Sequence, residues 1–168
     1  LHAIHDELDP TLSYRYSCGS WQCGSCAVRV NGEPVLACMD EAQDGITIEP
    51  INLPVKKDLI VDLLPTLETI AYLKPSDTLK MPTQSDIDSI KPLRDCIECL
   101  CCVSVCPAMD VTKFLGPTAM RQEMRLALDP RDSGDRVDDA VKEGLFACTS
   151  CQACWKACPK EIEIPSKA

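Results

Sequence analysis

Residues 96–107 read CIECLCCVSVCP, and residues 148–159 read CTSCQACWKACP. Both stretches obey one spacing, C-x2-C-x2-C-x3-C-P. It is met by Cys96, Cys99, Cys102 and Cys106 before Pro107, and by Cys148, Cys151, Cys154 and Cys158 before Pro159. Thiols spaced two residues apart and closed by Cys-Pro are a ligand pattern for cubane iron–sulfur clusters. Where two such runs share a chain, the fourth cysteine of each ligates the cluster of the other. The expected sets are therefore crossed. Cys96, Cys99, Cys102 and Cys158 hold one [4Fe–4S] cluster, and Cys106, Cys148, Cys151 and Cys154 hold the second, which would be [3Fe–4S] only if Cys151 were not a ligand.

A third set lies upstream. Cys18, Cys23 and Cys26 follow C-x4-C-x2-C, with Cys38 as a more distant fourth ligand, which is the plant-type [2Fe–2S] pattern. A loop that bends around a cluster and turns its N–H groups toward sulfur needs small residues, and Gly19, Ser20, Gly24 and Ser25 supply them. A structural zinc tetrad is the competing reading, but zinc sites pair one C-x2-C with another or with histidine. Twelve of the 13 cysteines are then assigned. Cys101 falls outside the spacing and reads as a small buried hydrophobe beside a cluster. His2 and His5 have no ligand partner in sequence and read as surface residues. Trp21 and Trp155 read as cluster shielding.

Composition agrees with metal. Thirteen cysteines in 168 residues admit either a secreted disulfide scaffold or a metal protein of a reducing compartment, and the two Cys-Pro runs favour metal. Aromatic residues make up only 4%, so metal–thiolate bonds must supply folding free energy that packing does not. A net charge of −9 argues against nucleic acid and anionic membrane surfaces as partners. No stretch is apolar for long enough to span a bilayer. A cytoplasmic location is expected, with a peripheral place on the inner face of the membrane as its variant. No nucleotide-binding fingerprint and no Ser/His/Asp arrangement is present, so catalytic residues are not expected on this chain.

The elements order themselves around these sets. Leu1, Ile4 and Leu8 have helical spacing, ended by Asp9-Pro10. Strands are expected at Leu12–Tyr16, Ala27–Val30, Pro34–Ala37 and Gly45–Pro50, with Asn31-Gly32 as a hairpin turn. Asn52-Leu53-Pro54 reads as a linker. Leu59 to Ala71 has helical periodicity that Pro65 should break, and 74–92 reads as a long surface connection. Helices are expected at Pro117–Leu128 and at Val137–Glu143, the latter stopped by Gly144. The fold class is α+β. A [2Fe–2S] ferredoxin-like β-grasp domain, 1–53, lacking its first strands, is followed by an α-helical ferredoxin domain, 54–168. Leu1 falls inside a helical pattern, and Ile164-Pro165-Ser166 reads as a helix start. A longer gene product, or completion by partner chains, is expected.

This order of domains resembles the iron–sulfur subunit of succinate dehydrogenase and fumarate reductase. The likeness runs through Tyr16-Ser17-Cys18, Cys23-Gly24-Ser25-Cys26, Leu36-Ala37-Cys38, Ile46-Thr47-Ile48-Glu49-Pro50, Lys57-Asp58-Leu59-Ile60-Val61-Asp62, Cys96-Ile97-Glu98-Cys99 and Lys113-Phe114-Leu115-Gly116-Pro117. It implies an oxidoreductase subunit that relays electrons along three clusters, between an FAD flavoprotein that carries the catalytic site and a second redox partner. Quinone-linked members usually lack the second cysteine of the last run, and have a Trp-rich segment after the first Cys-Pro and a His after the first cysteine of the last run. Here Cys151 is present, Ala108-Met109-Asp110 replaces the Trp-rich segment and Thr149 replaces the His. The complete cysteine set is similar to thiol:fumarate reductases of methanogens. The iron–sulfur subunit of those enzymes adds a cysteine-rich domain resembling heterodisulfide reductase, which is favoured over a quinone-binding membrane anchor. The alternative is a non-catalytic ferredoxin-like adaptor wiring a heterodisulfide reductase or formate dehydrogenase complex.

Overall fold

The computed structural model describes residues 1–72, 74–75, 77, 80–109 and 114–164. Strand β1 (Ala27–Val30) lies between β2 (Glu33–Leu36) and β3 (Ile48–Glu49), antiparallel to both. Ala27 faces Leu36 and Val30 faces Glu33 on one side, and Val30 faces Ile48 on the other. The β1–β2 turn forms as expected: Asn31 and Gly32 both adopt positive φ, 51° and 89°, which matches the twist of the flanking strands. Asn31 Oδ1 also accepts from the Thr47 amide at 3.0 Å, tying the turn to the approach of β3. Pro34 is tolerated because β2 is an edge strand.

Three expectations fail in this half. Residues 12–16 form no ladder. Their polar groups go instead to a second hairpin, β4 (Val55–Lys57) and β5 (Ile60–Val61). Ser13 donates to Asp58 Oδ2 at 2.8 Å, Leu59 donates to Ser13 O at 3.1 Å, and Arg15 donates to Val61 O at 2.8 Å. That hairpin replaces the start of the helix read from Leu59, because Asp58 turns the chain with φ of 47°. What remains is one short helix, α1 (Leu64–Leu67), with Pro65 in its first turn, where a missing N–H costs nothing. The strand read over 45–50 shrinks to Ile48–Glu49.

The 74–92 stretch is not all connection. Helix α2 (Gln84–Arg94) begins in it, opened by a capping box: Thr83 accepts from the Asp86 amide, and Asp86 accepts from the Thr83 amide at 2.8 Å. Ile90 and Leu93 are its buried face. Helices α4 (Pro117–Ala127) and α5 (Arg136–Lys142) lie where expected, with Pro117 at N1 and left-handed Gly144 just beyond α5. Two helices of a single turn, α3 (Cys101–Ser104) and α6 (Ala153–Lys156), sit inside the cysteine runs and pack on each other. The core joins both halves: Ile51 and Val61 from the first pack with Leu93, Leu100, Val103 and Met120 from the second. Ile164 is described, but the helix start expected at Pro165 lies outside the described residues.

Candidate metal centres

The two Cys-Pro runs fold alike. Glu98 and Leu100 in the first run, and Ser150 and Gln152 in the second, have φ between 53° and 63°. Each costs about 1 kcal/mol or more in a non-glycine residue. Alternating left-handed residues turn successive N–H groups toward one point, a backbone nest suited to an anion. The Glu98 amide reaches Cys96 Sγ at 3.4 Å.

The runs then exchange their last cysteines. Cys96, Cys99 and Cys102 line one recess together with Cys158. Cys148, Cys151 and Cys154 line a second together with Cys106. Both recesses are walled mostly by apolar residues, and Ile164 lines both. Each has several hundred Å³ of free space, about 370 and 500 Å³, part of it open to solvent. Among the described residues no group of three or more His, Cys, Asp or Glu draws close enough to hold a single metal ion. Zinc, with Zn–S bonds of about 2.3 Å, needs sulfurs that converge on a point. Here four cysteines border each recess.

The upstream set gathers on the loop before β1 and the turn after β2. Cys18 Sγ accepts from the Ser20 and Gln22 amides, each at 3.4 Å, and Cys23 Sγ lies 2.9 Å from Ser25 Oγ. Cys18 hydrogen-bonds Cys23, and Cys26 hydrogen-bonds Cys38, so the four thiols form two neighbouring pairs.

Electrostatics separates the sulfurs. The amide donors of Ser20 and then Gln22 pull the exposed Cys18 thiol down to about 6. Burial instead raises Cys26, Cys96, Cys102 and Cys106, and takes Cys154 to about 11. A buried thiol gives up its proton when a metal takes the sulfur. Cys101, which the spacing left over, is fully buried. Its thiol hydrogen-bonds Cys99, which lowers Cys99 to about 7 and raises Cys101 strongly. The two histidines stay outside the centres. His2 Nδ1 lies 2.7 Å from the Tyr14 hydroxyl and His5 pairs with Asp6. Trp155 lines neither recess, although its amide donates to Cys154. Trp21 is partly exposed and lies under Lys160, 4.4 Å from Nζ to the ring centre.

Sequence reasoning missed how the first centre meets the second. The left-handed Gly24, φ 68°, presses on the loop of Cys96 and Cys99. A Cβ there would collide with the Ile97 carbonyl oxygen and lie 3.0 Å from Cys99 Cα. Only a residue without a side chain permits that approach.

Comparison with known proteins agrees with this layout. Residues 1–68 match the 2Fe-2S iron-sulfur cluster binding domain and residues 92–162 match the 4Fe-4S dicluster domain. Fold and sites therefore define an iron–sulfur protein with both [2Fe–2S] and [4Fe–4S] binding domains. The chain is 38% identical over 180 residues to the fumarate reductase iron-sulfur subunit of Mycobacterium tuberculosis, covering 95% of this chain and 72% of that one. It superposes with a TM-score of 0.90 and 30% identity on a chain of the Mycobacterium smegmatis Sdh1 complex in the apo form, covering 99% of this chain and 78% of that one. The chain belongs to the family of iron–sulfur subunits of fumarate reductases and succinate dehydrogenases. It is also 41% identical, over its whole length, to a subunit of the fumarate reductase (CoM/CoB) of Methanothermobacter marburgensis, but spans only 36% of that relative. Among the described residues no helix is long and apolar enough to cross a membrane.

Proposed function

We propose that this chain is the electron wire of a fumarate reductase-type complex. Cys18, Cys23, Cys26 and Cys38 hold one [2Fe–2S] cluster. Cys96, Cys99, Cys102 and Cys158 hold one [4Fe–4S] cluster, and Cys106, Cys148, Cys151 and Cys154 hold another. Residues 1–53 carry the first centre and residues 54–168 the other two. When bound, the clusters supply one-electron carriers; the protein positions them and excludes water.

The observation that carries this reading is contiguity. Gly24 packs the first thiol set against the second, and Ile164 lines the recesses of both the second and the third. Three centres in unbroken contact suit conduction from one end of the chain to the other. The exposed loop of Cys18 and Cys23 suits an FAD flavoprotein that interconverts succinate and fumarate. The recess of Cys148 and Cys151, both exposed at its mouth, suits the second partner. Cys151 and Thr149, together with the name of the methanogen relative, favour a thiol- or heterodisulfide-linked partner over a quinone-binding anchor. The [2Fe–2S] domain favours this reading over a ferredoxin-like adaptor. The complex would work in the cytoplasm, peripheral to the inner face of the membrane at most.

The test is isolation of the native complex under anaerobic conditions. A flavoprotein partner, three EPR-distinct centres and fumarate-dependent oxidation of a reduced dye are expected. A complex with bound zinc, or with no flavoprotein, would overturn the proposal.

A further inference from the structure

Helix α4 runs beside the recess of Cys96, Cys99, Cys102 and Cys158 and presents two residues to it, Thr118 and, one turn on, Arg121. The Thr118 hydroxyl lies 3.2 Å from Cys102 Sγ. Arg121 is only 3% exposed. Its Nη1 donates to the Leu93 carbonyl at 3.1 Å. Among the described residues its Nε–H is buried without a partner and no carboxylate pairs with it. A guanidinium keeps its charge at every working pH, and a buried charge demands a counter-charge. An orphaned buried donor likewise calls for a group that is absent from the protein's own atoms. The recess that Arg121 lines offers the four sulfurs as that counter-charge. Among the described residues the other recess, walled by Phe114, Pro117, Met120 and Leu145 around its thiols, has no charged residue in its lining.

We propose that Arg121 is the built-in counter-ion and hydrogen-bond donor of the centre held by Cys96, Cys99, Cys102 and Cys158, raising its reduction potential above what those ligands alone would give. This rests on the cluster assignment proposed above. Four thiolates on an iron–sulfide core are anionic, and reduction adds one further negative charge. One electron leaves the neighbouring centre and one enters this one; no bond forms or breaks, and no proton moves. A fixed buried cation stabilises the reduced form more than the oxidised form, and net charge and hydrogen bonding to sulfur are the protein's levers on cluster potential. Arg121 is thus a positioning and tuning residue for the middle of the wire, and among the described residues the outer recess shows no equivalent.

The experiment is an EPR-monitored redox titration of the cluster-loaded full chain, comparing the unmodified protein with Arg121→Gln and Arg121→Lys. Arg121→Gln should shift one midpoint to lower potential and leave the other two in place, and Arg121→Lys should keep most of the original value. The shift should persist at high ionic strength, because the charge is buried and poorly screened. An unchanged midpoint in an Arg121→Gln protein with full iron content would overturn the proposal, as would equal movement of all three midpoints. If Arg121→Gln fails to retain this centre while Arg121→Lys retains it, the counter-ion role is supported. If both variants lose it, Arg121 is a packing residue and the proposal falls. Unmodified protein without iron on these cysteines would instead sink the cluster assignment itself.

Discussion

At the scale of single residues, Gly24 and Cys101 show how closely the centres are fitted. Gly24→Ala forces a methyl group into the Ile97 carbonyl and places a side chain at a φ that disfavours one. Overpacking of this kind costs about 1–3 kcal/mol. The visible absorbance of the loaded chain should bleach at lower denaturant concentration than in the unmodified protein; equal midpoints would show that the loop can yield. Cys101→Ala has a milder expectation. Its thiol bonds Cys99 but is no ligand in the proposed sets, so all three EPR signals should survive, and loss of any one would show that the register of the first run is misread. The sequence makes every proposed ligand legible, since thiol spacing is a direct record of geometry. It does not expose Gly24's neighbour or Arg121's orphaned donor, because both depend on which distant loop the fold brings alongside.

At the scale of elements, two helix signals were present in the sequence and outweighed. Thr83 and Asp86 form a capping box ahead of Ile87, Ile90 and Leu93, yet the flanking Pro, Ser and Asp residues read as loop. From Leu59 onward apolar spacing suggests helix, but the left-handed turn at Asp58 and the bonds to Ser13 and Arg15 commit Ile60 and Val61 to a hairpin, a tertiary choice that local periodicity does not record. The cysteine runs swap their ends, and this yields a sharp expectation. Cys158→Ala should remove the EPR signal of the centre built on Cys96, Cys99 and Cys102, although 56 residues separate Cys102 from Cys158. If the signal lost were that of the Cys148 centre, ligation would run within each stretch. The α4–α5 pair is held by a buried ion network. Arg136 donates to Asp132 from Nε at 2.6 Å and from Nη2 at 2.8 Å, and to the Tyr72 carbonyl at 2.8 Å, while Nη1 approaches Glu123 at 3.4 Å. Its hydrogen bonds hold Asp132 down to about 2, so this contribution is in force above the ordinary 3.8 and is lost as pH falls through about 2. Arg136→Leu would strand two buried carboxylates at neutral pH, at a cost of about 3–5 kcal/mol. Chemical denaturation followed by far-UV circular dichroism should register it, and a change below about 1 kcal/mol would show that water reaches the network.

At the scale of the molecule, the question is what holds a chain with so few aromatic residues together. The described core is thin, and cysteine sulfurs belong to it: Cys102 and Cys154 lie in the same cluster of buried residues as Leu93, Phe114 and Met120. Two apolar recesses open where a larger protein would place side chains. On the proposed assignment, iron and sulfide would fill those spaces, and the exchanged cysteines would staple residues 96–106 to 148–158. Without them, both recesses would have to collapse or admit water, and the left-handed residues of each run would lose the anion that rewards their strain. Metal binding and folding would then be one equilibrium in the second half of the chain. Removing iron anaerobically with a chelator should abolish helical circular dichroism from α3 to α6 and open residues 96–164 to proteolysis. Ferrous iron with sulfide and a thiol reductant should restore both, more readily as pH rises, since each cysteine must give up its proton to bind iron. An iron-free chain that keeps its full helical signal and protease resistance would mean that packing alone suffices, and that the cysteines were recruited to a fold that did not need them.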